Sequence, residues 1–143
     1  MTTSVVIPVY NDPEGVETTV ESLLDQRATD YEVVIADNGS TDETAAVARR
    51  FAERDRVRHV VEDEVQSSYA ARNAGIAAAS GDVIGFVDAD MWVDEEYVGD
   101  ITRAMADRDY MGCRVELVAG DGTVARYRRA SGFPFETYVR ENR

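Results

Sequence analysis

Two aspartates near the middle of the chain have a spacing that suits metal chemistry. Asp88 and Asp90 come directly after the apolar run Val83-Ile84-Gly85-Phe86-Val87, which is typical of a buried strand. If the backbone stays extended past that strand, the two carboxylates point to the same side of the sheet. Paired carboxylates bind a hard divalent cation, and such a cation binds a diphosphate. A chain with 28 acidic residues in 143 contains roughly five pairs of this spacing by chance, so the pair needs support from elsewhere.

Groups at two other predicted strand ends supply that support. The first strand ends in Pro8-Val9-Tyr10-Asn11-Asp12 and the second in Asp37-Asn38. Ligands of open parallel sheets bind beyond the carboxyl ends of the strands, where these side chains suit a base and a ribose. Arg72 and Asn73, from the helix before the fourth strand, add donors for a phosphate or a carbonyl. An ion pair with a nearby acid is an equally good interpretation of Arg72 in so acidic a chain.

The elements that must position these groups alternate between strand and helix. Strand patterns cover residues 3–10, 31–36, 57–61 and 83–87. Helical patterns follow the start signals at residues 11–14 and 40–43, and two more cover residues 68–79 and 94–105. This order predicts an α/β fold with right-handed crossovers and a mostly parallel sheet flanked by helices. Two further strand-like runs, 110–117 and 123–129, predict a small β-hairpin region after the acidic pair, and a last helix begins at residue 134.

Four local sequence patterns predict where helices and strands begin or end. Asp12 is expected to cap the first helix, with Pro13 in its first turn. Pro8 should mark the place where the first strand leaves the sheet, because proline cannot donate to a ladder. Ser40 and Glu43 fit a capping box at the second helix. Gly81 is expected to end the third helix.

The composition excludes several classes of protein. The formal charge is −13, and all 15 basic residues are arginine, so the surface offers no basic stripe to nucleic acid. The chain has no phosphate-binding loop of the G-x-x-x-x-G-K-[ST] type and no G-x-G-x-x-G after the first strand. A phosphoreceiver domain is excluded as well, because it would need a lysine near its acids and this chain contains no lysine. The acid-rich, lysine-free composition is similar to that of proteins from salt-accumulating halophilic archaea.

Single residues add little further chemistry. The one cysteine, Cys113, excludes an internal disulfide and a cysteine-based metal cluster. The one histidine, His59, lies in a strand and is interpreted as structural. No apolar run reaches the roughly 20 residues of a membrane span, and no signal-peptide pattern precedes the first strand, which predicts a cytoplasmic protein.

Four strings in this order and spacing resemble the family 2 glycosyltransferases: Ser4-Val5-Val6-Ile7-Pro8-Val9-Tyr10-Asn11, Glu32-Val33-Val34-Ile35-Ala36-Asp37-Asn38-Gly39-Ser40-Thr41-Asp42, Ala71-Arg72-Asn73-Ala74-Gly75-Ile76 and Gly81-Asp82-Val83-Ile84-Gly85-Phe86-Val87-Asp88-Ala89-Asp90. The resemblance covers residues 3 to 94 strongly and the remainder loosely. It implies a GT-A fold and an inverting transfer of a sugar from a nucleotide-diphosphate sugar, UDP-linked, to an acceptor hydroxyl on a glycan, lipid or polysaccharide.

The resemblance also implies roles for single residues. Substrate binding falls to the residues of the three strand ends and to the arginine of the third helix, namely Pro8, Val9, Tyr10, Asp12, Asp37, Asn38, Arg72 and Asp88. The D-x-D motif is Asp88-Ala89-Asp90, and both aspartates contribute to an Mn²⁺ or Mg²⁺ site. Asn38 stands where the family often has an aspartate that accepts from the uracil imide, and an asparagine carbonyl can accept the same hydrogen bond.

The catalytic base that the mechanism requires has no match in this sequence. In the family it is an acid well after the D-x-D motif, and Glu136 is better interpreted as a solvated helix acid. The sequence therefore predicts one nucleotide-sugar-binding domain over residues 1–143, lacking most of the acceptor-binding half. The alternative is a non-catalytic module that binds a nucleotide sugar in the same crevice. Neither prediction excludes peripheral association with a membrane.

Overall fold

A computed structural model describes residues 1–113 and, beyond them, two short strands at residues 117–118 and 124–125. It divides the chain into two compact units, Met1–Tyr110 and Met111–Arg143. The first unit contains four strands, which are β1 (Thr3–Val9), β2 (Tyr31–Asp37), β3 (Val57–Val61) and β4 (Val83–Phe86). Its helices are α1 (Pro13–Leu24), α2 (Thr44–Phe51), α3 (Ser68–Ala78) and α4 (Tyr97–Ala104), the last followed by a 3-10 turn, Met105–Asp107.

The four strands form one parallel sheet in the order β3-β2-β1-β4. This confirms the predicted α/β architecture. Alternate residues of β1 face opposite layers, as the two-residue period of a strand requires. Val5 and Ile7 belong to a core cluster with residues of α1 and α2, whereas Val6 belongs to a second cluster with Ala71 of α3. All four carboxyl ends therefore lie at one edge of a sheet that is covered on both faces.

Close packing of α3 on the sheet explains two of the glycines. A Cβ added to Gly75 would lie 2.3 Å from Cγ1 of Val6, so the helix can approach β1 only with glycine at that position. Gly81 does not end α3, as the sequence predicted, because the helix stops at Ala78 and Ala79 is already extended. Gly81 instead lies against the start of β1, where its N–H donates to Ser4 Oγ at 2.8 Å and an added Cβ would approach Ser4 N to 2.7 Å.

Pro8 marks the end of only one of the two pairings of β1. The strand pairs with β4 through Val6, whose carbonyl accepts from the Val87 N–H, but it continues along β2 through Val9. Even-numbered residues of β1 direct their backbone groups toward β4, so the missing N–H of Pro8 faces the side on which β4 has already ended. The proline therefore costs the ladder no hydrogen bond.

The helix caps agree with the prediction at α1 but not at α2. Asp12 caps α1, with its Oδ1 accepting from Gly15 N at 2.9 Å, and Pro13 opens the helix. The capping box predicted for Ser40 and Glu43 is wrong, since α2 begins at Thr44 and Glu43 makes no side-chain cap hydrogen bond. Asp42 accepts from Thr44 N in its place.

The second unit contains strands β5 (Leu117–Val118) and β6 (Val124–Ala125), which pair antiparallel and agree with the predicted hairpin region. The turn predicted at residues 121–122, the helix predicted from residue 134 and Glu136 lie outside the described residues. Within the part of the chain that the structure describes, no helix is long and apolar enough to cross a membrane.

Candidate functional site

A cleft of about 230 Å³ opens at the carboxyl edge of the sheet, between the ends of β1, β2 and β4 and the first turns of α3. Seven of the eight residues predicted to bind substrate line it, and Asp37 is the exception. The lining consists of Pro8, Val9, Tyr10, Asp12, Asn38, Ser68, Ala71, Arg72, Asp88 and Ala89. The fold thus brings together groups from four segments that are far apart in the sequence.

Asn38 presents a fixed hydrogen-bond acceptor to this cleft. Its residue surface is only 5% exposed, and its amide Nδ2 donates to the carbonyls of Glu62 at 3.0 Å and Val65 at 2.9 Å. Its backbone N–H donates to Val9 O at 2.9 Å, which joins the ends of β1 and β2. Because both amide hydrogens are used, only the carbonyl Oδ1 remains for a ligand.

Asp37 faces away from the cleft and organises the turn that follows β2. The residue is 1% exposed, and its Oδ1 accepts from Ser40 N at 2.9 Å. Its Oδ2 lies 3.5 Å from Nε2 of His59, a buried nitrogen that has no hydrogen-bond partner within residues 1–113. Both side chains therefore lie behind the cleft, and the interpretation of His59 as structural agrees with this position.

Arg72 lines the cleft and at the same time forms the ion pair that its sequence context suggested. Its Nη2 lies 2.8 Å from Oδ1 of Asp88. The Asp88 side chain is 61% exposed, and a pair so open to water contributes at most about 1 kcal/mol to stability. The pair holds a guanidinium beside one carboxylate in the lining of the cleft.

The backbone between the two aspartates is not extended, contrary to the sequence expectation. Strand pairing ends at Phe86, and a turn follows in which Asp90 has a φ of 74°. The Met91 N–H donates to Asp88 O at 3.3 Å across this turn. Asp88 consequently lines the cleft, whereas Asp90 is exposed beside it and makes no hydrogen bond or ion pair with any residue of 1–113.

Asp88 and Asp90 supply some, but not all, of the ligands that a divalent cation needs. Within the described residues no group of three acidic, histidine or cysteine side chains converges on one point. Two exposed carboxylates nevertheless offer the hard oxygens that Mg²⁺ and Mn²⁺ prefer. Mg²⁺ is commonly held by one or two carboxylates together with water and substrate phosphates. The residues therefore fit a cation that shares its coordination with a bound diphosphate.

A row of polar side chains, formed by Thr19 and Ser22 of α1 and by Gln26 just after that helix, holds the segment after Asp90 and was not predicted from the sequence. Its members follow helical spacing, and each bonds to a backbone group of that segment. Thr19 Oγ1 donates to Met91 O at 2.8 Å, Ser22 Oγ accepts from Val93 N at 3.2 Å, Gln26 Nε2 donates to Asp94 O at 2.6 Å, and Gln26 Oε1 accepts from Val98 N at 2.9 Å. Thr19 and Ser22 are buried although they are polar, beside the apolar stripe of the helix. In the sequence, these polar residues are interleaved with the apolar stripe of the helix, and that pattern could have identified the row.

Curated relatives are glycosyltransferases. The chain is 37% identical over 130 residues to glycosyltransferase AglE of Haloferax volcanii, covering 87% of this chain and 43% of the relative. It is 36% identical over 106 residues to validoxylamine A glucosyltransferase of Streptomyces hygroscopicus subsp. jinggangensis, covering 72% of this chain and 25% of the relative. The chain therefore spans less than half the length of these relatives.

Solved structures share the fold. S. aureus TarS 1–349 in complex with UDP superposes with a TM-score of 0.66 at 26% identity, covering 73% of this chain and 32% of that one. The mannosyltransferase PcManGT from Pyrobaculum calidifontis, in complex with GDP-Man and Mn²⁺, superposes with a TM-score of 0.67 at 28% identity. The superposition covers 73% of this chain and 32% of that one. The sequence model of the family described as Glycosyl transferase family 2 matches residues 4–143 of this chain. With that match spanning nearly the whole sequence, and the predicted fold confirmed, this chain belongs to glycosyl transferase family 2.

Proposed function

We propose that this chain binds a nucleotide-diphosphate sugar, and that it does so as the donor-binding part of an inverting glycosyltransferase. The observation that carries the proposal is the cleft itself, because seven of the eight predicted residues come together there from separate segments. Neighbours that share the fold bind nucleotides: TarS was solved with UDP and with UDP-GlcNAc, and PcManGT with GDP-Man and Mn²⁺.

The base would lie between Tyr10 and Asn38. Tyr10 is 46% exposed and lines the cleft, so its ring is available for stacking. The free Oδ1 of Asn38 accepts from a ligand N–H, and the imide of uracil supplies one. We therefore propose UDP as the nucleotide part of the donor, since a locked acceptor selects bases that place an N–H there.

The diphosphate would lie between Arg72 and the two aspartates. The Arg72 guanidinium donates to phosphate oxygens, and Asp88 and Asp90 would hold Mn²⁺ or Mg²⁺. When bound, such a cation neutralises negative charge on the departing nucleoside diphosphate. The acceptor, a hydroxyl of a glycan, lipid or polysaccharide, then attacks the anomeric carbon. Its proton requires a general base, and we assign that role to no residue of 1–113. We place this reaction in the cytoplasm.

Calorimetry with UDP, GDP and dTDP, with and without Mn²⁺, tests the proposal. High salt is appropriate because it screens the self-repulsion of a chain with a charge of −13. We expect UDP binding that Mn²⁺ strengthens at least tenfold, and we expect Asp90→Ala to remove most of that gain. Asp55→Ala is the matched control, since Asp55 is an exposed acid in the turn before β3, at the opposite edge of the sheet.

Two outcomes would contradict the site assignment. One is the absence of nucleotide binding by the folded protein, and the other is Mn²⁺-dependent binding that Asp90→Ala leaves intact. If binding occurs as expected, an assay of sugar transfer and of donor hydrolysis separates an enzyme from a module that only binds the donor.

A further inference from the structure

Asn11 has a backbone conformation that side chains other than glycine seldom adopt. Its φ is 50°, and within the described residues the only other non-glycine position with positive φ is Asp90. Asparagine tolerates the left-handed region better than most residues, but the conformation still has an energetic cost. Such outliers persist where the surrounding structure enforces them, and they are concentrated at ligand sites.

The interactions that enforce this conformation cross from the loop after β1 to the loop after β2. The backbone N–H of Asn11 donates to Ser40 Oγ at 3.0 Å. Its side-chain Oδ1 accepts from Thr41 N at 2.8 Å, and its Nδ2 donates to Thr41 Oγ1 at 3.2 Å. One exposed residue thereby joins two strand-end loops through its backbone N–H and its side-chain amide, an arrangement that we call the Asn11 clamp.

The Asn11 clamp connects two residues that face the ligand. Tyr10 precedes Asn11 directly, and Asn38 lies two residues before Ser40. Both line the main cleft, and together with Thr41 both also line a neighbouring cleft of about 170 Å³. The ends of β1 and β2 are already joined where the Asn38 N–H donates to Val9 O at 2.9 Å. The clamp adds a second connection on the other side of Tyr10, which is nearly half exposed. The position of the aromatic ring relative to the Asn38 acceptor therefore depends on the clamp as well as on the sheet.

We infer that Asn11 is a positioning residue for nucleotide recognition: it sets Tyr10 and Asn38 at a fixed separation before the ligand arrives. The inference rests on the proposed function and adds to it a residue that touches no ligand. Ordering a loop on binding lowers affinity, so a site that is ordered beforehand binds more tightly.

Two substitutions remove hydrogen bonds of the clamp without straining the backbone of residue 11. Asn11→Gly accepts a positive φ without strain and keeps the N–H to Ser40, but it removes both side-chain bonds to Thr41. Thr41→Val removes the hydroxyl partner with little change of shape. Thr18→Val is the matched control, because Thr18 is an exposed threonine of α1 whose hydroxyl makes no hydrogen bond with residues 1–113.

We expect Asn11→Gly to weaken the binding of UDP with Mn²⁺ about 3–10-fold, mainly through a less favourable binding entropy, with little change in melting temperature. Thr41→Val should weaken binding less, and it should have no further effect in the Asn11→Gly background, because the two side chains act through each other. In the ligand-free protein, hydrogen exchange at the Thr41 amide should become at least tenfold faster in Asn11→Gly. Thr18→Val should change none of these quantities.

Different results would overturn the positioning role of Asn11 and the proposed function. UDP affinity in Asn11→Gly equal to that of the wild type, or additive effects of the two substitutions, would overturn the positioning role and leave the proposed function standing. A wild-type protein that binds no nucleotide would overturn the proposed function and the inference with it.

Discussion

The two sides of the cleft are built differently. On the base side, Asn38 is 5% exposed, and its amide is bonded to the backbone of the loop after β3. On the metal side, the Asp88 side chain is 61% exposed, and Asp90 lies in a turn without a partner in residues 1–113. One side hides its polar groups within hydrogen bonds, and the other leaves its carboxylates in water.

The difference agrees with what each side is proposed to bind. A neutral amide can be buried at modest cost when its hydrogen bonds are made, whereas an unpaired carboxylate cannot. The metal side instead leaves its carboxylates open to water, and only Asp88 is paired, with Arg72. Its backbone is held by the polar row of Thr19, Ser22 and Gln26, which bonds to residues 91–98. We interpret the base side as preformed and the metal side as completed by the ligand.

The largest expected effect comes from placing a charge in the preformed side. Asn38→Asp would set a carboxylate against the carbonyls of Glu62 and Val65, where the amide now donates. We expect a loss of about 2–3 kcal/mol in the free energy of unfolding, measured by urea denaturation, because the carboxylate would be placed at a buried position, would lose both hydrogen bonds and would face two carbonyl oxygens. Asn73→Asp makes the same change of charge at an exposed position of α3 and should cost less than about 0.5 kcal/mol. Equal stability of the two variants would show that the base side is not preformed.

The next effect concerns the backbone of the metal side. Thr19→Val keeps the side-chain shape but leaves the carbonyl of Met91 without the hydroxyl that now donates to it. We expect a loss of about 1–2 kcal/mol in urea denaturation and a loss of Mn²⁺-dependent UDP affinity, since the turn that carries Asp90 is less well held. Hydrogen exchange at the Thr41 amide should not change. If it did, the two sides could not be regarded as independent.

The residues of the two sides could be predicted from the sequence, but the means by which each side is held could not. Strand ends and apolar runs are local patterns, so the sheet and seven of the ten residues that line the cleft could be predicted. The bonds of Asn38, Asn11 and Thr19 join residues 24 to 72 positions apart, and nothing in the local sequence specifies such partners. The expected alignment of Asp88 and Asp90 was wrong for a related reason, since the end of β4 depends on its pairing with β1.

The third expected effect concerns Glu32, a carboxylate that the fold buries, in contrast to the exposed carboxylates of the cleft. Glu32 is 9% exposed; burial by itself would raise the pKa of its carboxyl, but hydrogen bonds from Ser4 and Ser80 and the charge of Arg58 hold that pKa below its usual value. The unfolded chain therefore takes up this proton at higher pH than the native protein does. The contribution of Glu32 to stability is complete above the unfolded pKa, near 4.3, and is lost as the pH falls through the lower native value.

Glu32→Gln tests this contribution. Acid titrations of stability should show a shallower decline below about pH 5 in Glu32→Gln than in the wild type. Glu53→Gln, at an exposed position after α2, is the control and should follow the wild-type curve. Parallel curves for Glu32→Gln and the wild type would mean that the buried carboxylate does not contribute to the acid sensitivity.

The smallest effect on stability should come from the one ion pair of the cleft, Arg72 with Asp88. Arg72→Gln removes a pair whose acid is largely in water, so we expect a change below about 0.5 kcal/mol in the free energy of unfolding. The same substitution should weaken UDP binding about tenfold or more, because the guanidinium is the donor proposed for the diphosphate. Arg103→Gln, which breaks the exposed i,i+3 pair with Asp100 on α4, should leave both quantities unchanged. A large loss of stability with intact UDP affinity in Arg72→Gln would reverse the comparison, because the pair would then be part of the fold and the metal side would be as preformed as the base side.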